Sequence, residues 1–469
     1  MIADLKPYAD YRKSQLPWLG SIPRHWETGP GFAAFREKHV KNIGLKERTV
    51  LSLSYGRIIV KPQEKLHGLV PDSFETYQIV DPGDLIIRST DLQNDWNSLR
   101  VGFVRNRGII TSAYLCFKTT DKLLPEYGYL MLHTFDLMKV FYGMGSGLRQ
   151  NLDFTDFKRL IIFVPPPEEQ AAVVRFLDYA SRRLEKAILA KRKVIALLKE
   201  QKQAIIQRAV TKGLDPNVPL KPSGIPWLGE TPSHWEATSL RRYWQVTDCK
   251  HLTVPFVDAG IPLASVVEVQ SFNLDLSRCK KTKPDSYRNL IEGGRKPKRG
   301  DLIYCRNVGV GASAFVDTDI DFAMGQDVCL IRSEKQNQRF LNYLLHSPFM
   351  DHQLELILVG STFKRINISE IKALTVLVPP VKEQNRICEY LDMSLSNYDA
   401  IITHTAREIA LIGEYRTRLI ADVVTGKLDV REAARNLPEE QTEENVFSQV
   451  DDGEAENDAE LEESAAQNE

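Results

Sequence analysis

The chain is written twice. Leu16-Pro17-Trp18-Leu19-Gly20, followed by Pro23 and His25-Trp26-Glu27, returns 209 residues later as Ile225-Pro226-Trp227-Leu228-Gly229, Pro232 and His234-Trp235-Glu236. A second pair of segments, Val164 to Asp215 and Val378 to Asp429, aligns without gaps at an offset of 214 and shares 17 of 52 residues. Average composition would give about three matches by chance. Such a chain must fold as two copies of one unit, each with a short Pro-Trp box, a middle and a closing segment. The middles, 31 to 163 and 237 to 377, barely resemble each other. Faint landmarks survive: Pro71-Asp72-Ser73-Phe74 beside Pro284-Asp285-Ser286-Tyr287, Gly83-Asp84-Leu85-Ile86 beside Gly300-Asp301-Leu302-Ile303, and Gly145-Ser146 beside Gly360-Ser361. One fold therefore carries two different surfaces.

The middles read as short strands broken by turns, with Asp84 to Arg88, Val101 to Val104 and Leu374 to Val378 the clearest. Helices are expected over Glu126 to Tyr142 and Gln338 to Leu358. The closing segments read as long helices. Proline followed by acids (Pro165-Pro166-Pro167-Glu168-Glu169, and Pro379-Pro380 with Glu383) suits a helix N-terminus and its dipole. From there a seam recurs at alternating steps of four and three: Leu184, Ile188, Lys191, Ile195, Leu198, Lys202, Ile205 and Ala209 in the first, Tyr398, Ile402, Thr405, Ile409, Ile412, Arg416, Leu419 and Val423 in the second. Even the polar interruptions coincide. A seam held for about four heptads predicts a coiled coil between the two helices.

A length of 469 residues calls for more than one domain. No stretch approaches the roughly 20 apolar residues of a membrane span, and the opening MIADLKPYADYRKSQ lacks the apolar core of a secretory signal, so a cytoplasmic protein is expected. The net charge of -1 conceals an uneven distribution. Residues 431 to 469 hold 14 Asp and Glu against Arg431 and Arg435, leaving residues 1 to 430 at +11. The body thus favours a polyanionic partner, and the acidic tail is expected to be disordered. Cys116, Cys249, Cys279, Cys305, Cys329 and Cys388 form no C-x-x-C pair and read as reduced, buried thiols.

The sequence carries no complete catalytic signature. Gly426-Lys427 is followed by Leu428 and lacks the upstream glycine of a phosphate loop. There is no Asn-Pro-Pro-Tyr or Asp-Pro-Pro-Tyr tetrapeptide and no H-E-x-x-H pair, and His346 and His352 are six apart, a poor spacing for shared metal ligation. Gly143-x-Gly145-x-Gly147 reads as a turn. Pro71-Asp72 with Asp156-Phe157-Lys158, and Pro284-Asp285 with Glu370-Ile371-Lys372, mimic a metal-dependent nuclease motif at separations of 84 and 85 residues. Both triplets fall in segments of helical spacing, whereas nuclease triplets sit on strands.

The boxes Leu16 to Trp26 and Gly224 to Trp235, the helix openings Pro166 to Gln170 and Pro380 to Gln384, and the segment Arg208 to Asp215 resemble the specificity subunits of type I restriction-modification systems. The first box departs with Gln15 where the second has Gly224. The resemblance covers residues 1 to 430. It implies an α+β chain in which two mixed α/β target-recognition domains are separated by two long antiparallel helices forming a coiled coil, as a pseudo-two-fold internal repeat. The divisions are then 1–163, first recognition domain; 164–215, first spacer helix; 216–377, second recognition domain; 378–430, second spacer helix; and 431–469, tail. It further implies a bipartite, asymmetric DNA target, two modification subunits with methyltransferase activity and two restriction subunits with motor and nuclease activities. No cofactor is expected on this chain, with S-adenosylmethionine, ATP and Mg2+ on its partners, and no membrane is involved.

Base-reading groups must match base edges, while Lys and Arg on phosphates add affinity without sequence information. Candidate readers are Arg88, Asn94, Arg149, Gln150 and Asn151 in the first middle, and Arg306, Asn307, Lys364, Arg365 and Asn367 in the second. Arg295, Lys296, Lys298 and Arg299 suit phosphate. No catalytic residue is expected. The rival readings are a self-sufficient bipartite DNA-binding protein and a metal-dependent nuclease.

Overall fold

In each repeat the end of the Pro-Trp box is a strand paired with the strand that leads into the long helix. Glu27–Pro30 runs antiparallel to Ile161–Val164 with Glu27 opposite Val164, and Glu236–Ser239 runs antiparallel to Thr375–Val378 with Glu236 opposite Val378. A computed structural model of the chain describes residues 5–16, 18–62, 73–145, 150–270, 272–307, 309–358 and 365–438. It divides into two compact units, Met1–Ala190 with Glu408–Glu469, and Lys191–Arg407, so each unit contains part of both long helices, Pro167–Lys212 and Val381–Val424.

The shared motifs meet at the helix starts. In the first unit His25 Nε2 lies 2.8 Å from Glu169 Oε2, and the Tyr8 hydroxyl donates to the same carboxylate. The buried Gln170 amide donates to Pro165 O (2.9 Å) and Lys122 O (3.0 Å) and accepts from Leu124 N (2.8 Å). The second unit repeats this. His234 Nε2 lies 2.8 Å from Glu383 Oε2, and buried Gln384 donates to Pro379 O (2.8 Å) and accepts from Asn337 N (2.9 Å). The Glu-Gln pair thus ties each helix start to its box and to the loop before a helix of the middle.

Each box tryptophan also touches the end of the other long helix. Trp26 is buried against Phe163, ring centres 5.6 Å apart. Gly426, at φ +76° just past the second helix, lies so close that an added Cβ would fall 2.8 Å from Trp26 and 2.5 Å from Pro23. In the second unit Gly213, at φ +73° past the first helix, would place a Cβ 3.3 Å from Trp235 and 3.1 Å from Glu383. Glycine suits both positions, since a left-handed residue ends each helix where an indole leaves no room.

Each middle contains its own sheet, with the same order for the first four strands. In the first unit four antiparallel strands lie in the order Phe35–Glu37, Leu115–Thr119, Leu85–Ile87, Val101–Phe103. The second unit has Gln245–Asp248, Val328–Arg332, Leu302–Cys305 and Ser313–Phe315 in the same order, extended by Phe272–Leu274 and Val269–Gln270. The Gly-Asp landmarks are turns just before the third of these strands. Asp84 accepts from Asp81 N at 2.8 Å, and Asp301 accepts from Lys298 N at 2.7 Å. Each aspartate also faces a cation, Lys38 or Arg332.

Two expected helices are interrupted. Pro125–Leu137 ends before Lys139, which sits at φ +59°, and a short 3-10 turn, Val140–Gly143, follows. Gln338–Leu345 stops at His346-Ser347, and Pro348 opens a new helix, Pro348–Leu358. Proline has no N–H for the preceding turn and favours a first-turn position, so the break follows the chemistry.

Residues 431–438, placed by composition in the tail, are folded. Arg431–Arg435 is a helix, Val430, Ala434 and Leu437 are buried, and Arg431 pairs with Asp429 at 2.6 Å beneath the Tyr8 ring. Apolar burial and the Asp429 pair hold this stretch, whose two arginines against one glutamate set it apart from the acidic residues that follow. The rest of the tail lies outside the described residues. All six cysteines are buried and unpaired, and burial pushes the Cys116, Cys305 and Cys388 thiols up to about 12.

Replacing Gly426 by alanine should destabilise the protein by about 2 kcal/mol or more, through left-handed strain and the clash with Pro23 and Trp26. Gly20→Ala, whose methyl meets nothing within 4 Å, should stay within about 0.5 kcal/mol. Urea denaturation of the two variants checks the difference.

Candidate nucleic-acid interface

The polar candidates of the first unit cluster around the loop between Leu85–Ile87 and Val101–Phe103. Arg88 is part-buried and pairs with Asp95 at 3.3 Å. Exposed Asn94 donates to Asp91 Oδ1 at 2.8 Å, and Asn151 Oδ1 accepts from Asp91 N at 3.1 Å. Gln150, at φ +48°, donates its amide to Tyr142 O (2.8 Å) and Met144 O (2.9 Å). Leu152 N donates to Ser89 O at 2.8 Å, so 150–152 lies beside the loop. Arg149 is outside the described residues.

Sequence reasoning passed over the residue that organises this loop. Arg100 is fully buried, and its guanidinium donates to Thr90 O and Asp95 O at 2.7 Å, Asp91 O at 3.2 Å, Arg88 O at 3.3 Å and the Tyr142 hydroxyl at 3.1 Å. Trp96 is exposed and stacks on Tyr142, ring centres 4.4 Å apart. Burial works to raise the Asp95 carboxyl, but the Ser98 N–H and the Arg88 and Arg100 charges hold it below its ordinary value. Asp136, which accepts the Arg100 N–H at 2.5 Å, is raised by burial.

In the second unit Arg306 occupies the place of Ser89: Ile366 N donates to Arg306 O at 2.9 Å, as Leu152 N does to Ser89 O. Its side chain is buried, pairs with Asp248 and lies 3.3 Å from His251 Nε2. Asp248, Cys249 and His251 bring one potential ligand each within 4.8 Å, but the guanidinium of Arg306 already occupies this cluster. Asn307 and Arg365 form an isolated bridge, and exposed Arg365 lies 3.8 Å from Asp327. Asn367 caps the short helix Ile368–Ala373. Lys364 is outside the described residues. A cleft of about 590 Å³ beside Asp327 carries Thr253, Phe256, Arg278, Lys280 and Gln326, none of which composition singled out.

The basic run is largely neutralised by one acidic loop. Lys296 pairs with Asp321 (2.7 Å), and Arg299 with Asp317 (2.7 Å) and Asp319 (2.9 Å). Arg295 donates to Asp248 O (3.0 Å) and Glu292 O (2.8 Å), and Lys298 is exposed. These acids lie about 20 residues downstream in the sequence, beyond the reach of a local charge count.

The carboxylates of the nuclease-like triplets cap helices. Asp156 accepts from Asp153 N at 3.0 Å at the start of Phe154–Arg159, and Glu370 accepts from Asn367 N at 2.7 Å at the start of Ile368–Ala373. Asp285 pairs with Arg288 on the surface. Asp72 is outside the described residues.

Along the long helices, Ile188 and Leu419 are buried, and Leu184, Ile195, Leu198, Ile205, Tyr398, Ile402, Ile409 and Ile412 are half-buried. The polar interruptions carry cross-helix ion pairs within each unit. Arg416 meets Glu185 at 2.7 Å in the first, and Lys202 meets Asp399 in the second. The offset of 214 turns Glu185 into Asp399 and Lys202 into Arg416, so both pairs are the same contact made by the two copies.

The fold and these surfaces define a duplicated box-and-helix scaffold carrying two unlike polar faces. The chain belongs to the type I restriction modification DNA specificity domain family, which it matches over residues 86–192 and 286–411. It is similar to the type I restriction enzyme MjaVIII specificity subunit of Methanocaldococcus jannaschii, 22% identical over 359 residues, 74% of this chain and 81% of that one. It is also similar to the putative type I restriction enzyme MjaX specificity subunit of the same organism, 22% identical over 433 residues, 88% and 96% of the two chains. A chain solved in work on complex assembly and conformational transition of the type I R-M system shares the fold, with a TM-score of 0.63 at 14% identity, over 87% of this chain and 99% of that one.

Glu185→Lys should destabilise the protein by ~1 kcal/mol, because it sets two cations together in a half-buried seam. The double exchange Glu185→Lys with Arg416→Glu should recover most of that loss. A double-mutant cycle by thermal denaturation measures the coupling, which should shrink in high salt.

Proposed function

We propose that this chain is the DNA-recognition subunit of a type I restriction-modification complex, reading a bipartite, asymmetric target and carrying no catalytic step itself. The observation that carries the reading is one scaffold bearing two unlike polar surfaces. The equivalent inter-strand connections are 13 residues in the first unit, Arg88 to Arg100, and seven in the second, Arg306 to Ala312. Unlike readers on a near-symmetric frame suit two different half-sites. In this reading residues 1–163 and 216–377 are the recognition domains, and 164–215 and 378–430 pair as an antiparallel coiled coil in a pseudo-two-fold repeat.

Membership of a family of type I specificity subunits supports partners of the modification and restriction classes. We place two modification subunits, with S-adenosylmethionine, and two restriction subunits, with ATP and Mg2+, on this chain, and expect DNA adenine methylation and ATP-dependent cleavage from them. The chain itself holds no cofactor and acts in the cytoplasm. No helix among the described residues is long and apolar enough to cross a membrane. We assign the first half-site to the surface that carries Arg88, Asn94, Gln150 and Asn151, and the second to the surface that carries Asn307 and Arg365, with buried Arg306 and the cap Asn367 supporting it. Among the basic run, Lys298 is the best phosphate contact, since Lys296 and Arg299 already have acidic partners. The capped, helix-borne Asp156 and Glu370 favour this reading over a nuclease.

The chain alone should bind DNA weakly and with steep salt dependence, and gain specific affinity with its modification subunits. Equal specific affinity with and without them at matched salt would favour a self-sufficient DNA-binding protein. Exchanging residues 31–163 for the same region of a related subunit should change one half of the methylated motif and leave the other as it was. A change in both halves together would overturn the modular reading.

A further inference from the structure

Resting on the DNA-recognition reading, we propose that the loop Asp91–Ser98 of the first unit is a pre-set base-reading element. Gln93 is its principal reader and Arg100 its positioning residue. A guanidinium with no exposure is costly to desolvate, and a buried arginine is ordinarily matched to a carboxylate. Arg100 instead directs its donors to two carbonyls of the loop, Asp91 and Asp95, to two just before it, Arg88 and Thr90, and to Tyr142, with the Asp95 carboxylate 3.9 Å away. Its electrostatic attraction is thus applied to loop backbone.

The rest of the loop is braced in the same sense. The Tyr142 hydroxyl donates to Asp95 O at 2.9 Å, and Asp95 Oδ1 accepts from Asn97 N (3.2 Å) and Ser98 N (2.9 Å). The Trp96 indole N–H donates to Gln93 O at 3.2 Å while its ring lies on Tyr142. A loop held this way loses little freedom on binding, which is how a rigid first shell converts contacts into discrimination.

What the loop displays is chemically narrow. Its two acids, Asp91 and Asp95, are engaged internally. Gln93, Asn94, Trp96 and Asn97 are exposed. The Asn94 amide already donates to Asp91, whereas the Gln93 side chain makes no hydrogen bond among the described residues and is oriented through its own braced backbone. A glutamine amide presents a donor and an acceptor side by side, which matches the N6 and N7 edge of adenine in the major groove. The ligand is therefore an A·T pair of one half-site. The equivalent connection of the second unit is seven residues long, too short to form the same loop.

The test uses the complete complex with its modification subunits and maps methylated bases in a randomised DNA library. Gln93→Ala should weaken discrimination at one A·T position of one half-site by about tenfold to a hundredfold, leaving the other half unchanged. Arg100→Lys keeps the charge but cannot fork to the same carbonyls, so it should blur several positions of that same half only. If Arg100→Lys does not fold, Gln93→Ala and Trp96→Ala carry the test. The proposal is overturned if Gln93→Ala leaves the motif intact, or if the variants relax both halves equally. Methylation without sequence preference by the unaltered complex would instead remove the reading beneath it.

Discussion

Burial of one tryptophan per repeat is the constraint on which the rest depends. Trp26 and Trp235 each sit where the start of one long helix meets the end of the other, with the helix-ending glycine shaped to the indole. A fully buried aromatic side chain contributes roughly 3 to 5 kcal/mol, a large fraction of a domain's net stability. Each indole packs against residues of its own unit and against the glycine that ends a long helix. The first box at the beginning of the chain is therefore completed by residues near 426, and the second box by residues near 213.

That arrangement explains why a duplicated chain keeps some residues and lets others diverge. In each unit the box histidine meets the glutamate of the helix opening, the box tryptophan lies against the glycine past the other helix, and the glutamine ties the opening to the middle, so each of these residues is held by a contact distant in sequence. The Glu185–Arg416 and Lys202–Asp399 pairs extend the same logic along the helices. The loops carried by the sheets take no part in this closure and are free to differ. Their backbones lie beyond the third and fourth strands, held in each unit by local devices: Arg100 in one, the Arg306–Asp248 pair in the other.

Much of the scaffold was legible in the sequence because its signals are local or periodic. The helix openings need proline and acids within one turn, the seam needs a fixed spacing, and the box repeats outright. The third and fourth strands of the first sheet and the strand before the second long helix were visible as short apolar runs, whereas the strand before the first long helix was not singled out. The site was far less legible. Arg100 lies among ordinary loop residues, and its role depends on Tyr142 and Asp136, which the chain brings back only through the fold. Asn367 looked like a reader and is a helix cap, since capping and base recognition use the same amide chemistry. The basic run looked free because Asp317, Asp319 and Asp321 approach it across a turn of the sheet.

The central claim is that two independent readers are held on a helical spacer, and the most direct measurement changes the spacer alone. Val194 to Leu197 and Glu408 to Leu411 correspond at the offset of 214 and lie between the two cross-helix ion pairs. Deleting both sets removes close to one turn from each helix, keeps the seam nearly in register and shortens the pair by about 6 Å. Methylated-base mapping with the deleted chain in its complex should return the same two half-sites, one to two base pairs closer, at ~3.4 Å per base pair. The same half-sites at an unchanged separation would contradict the account.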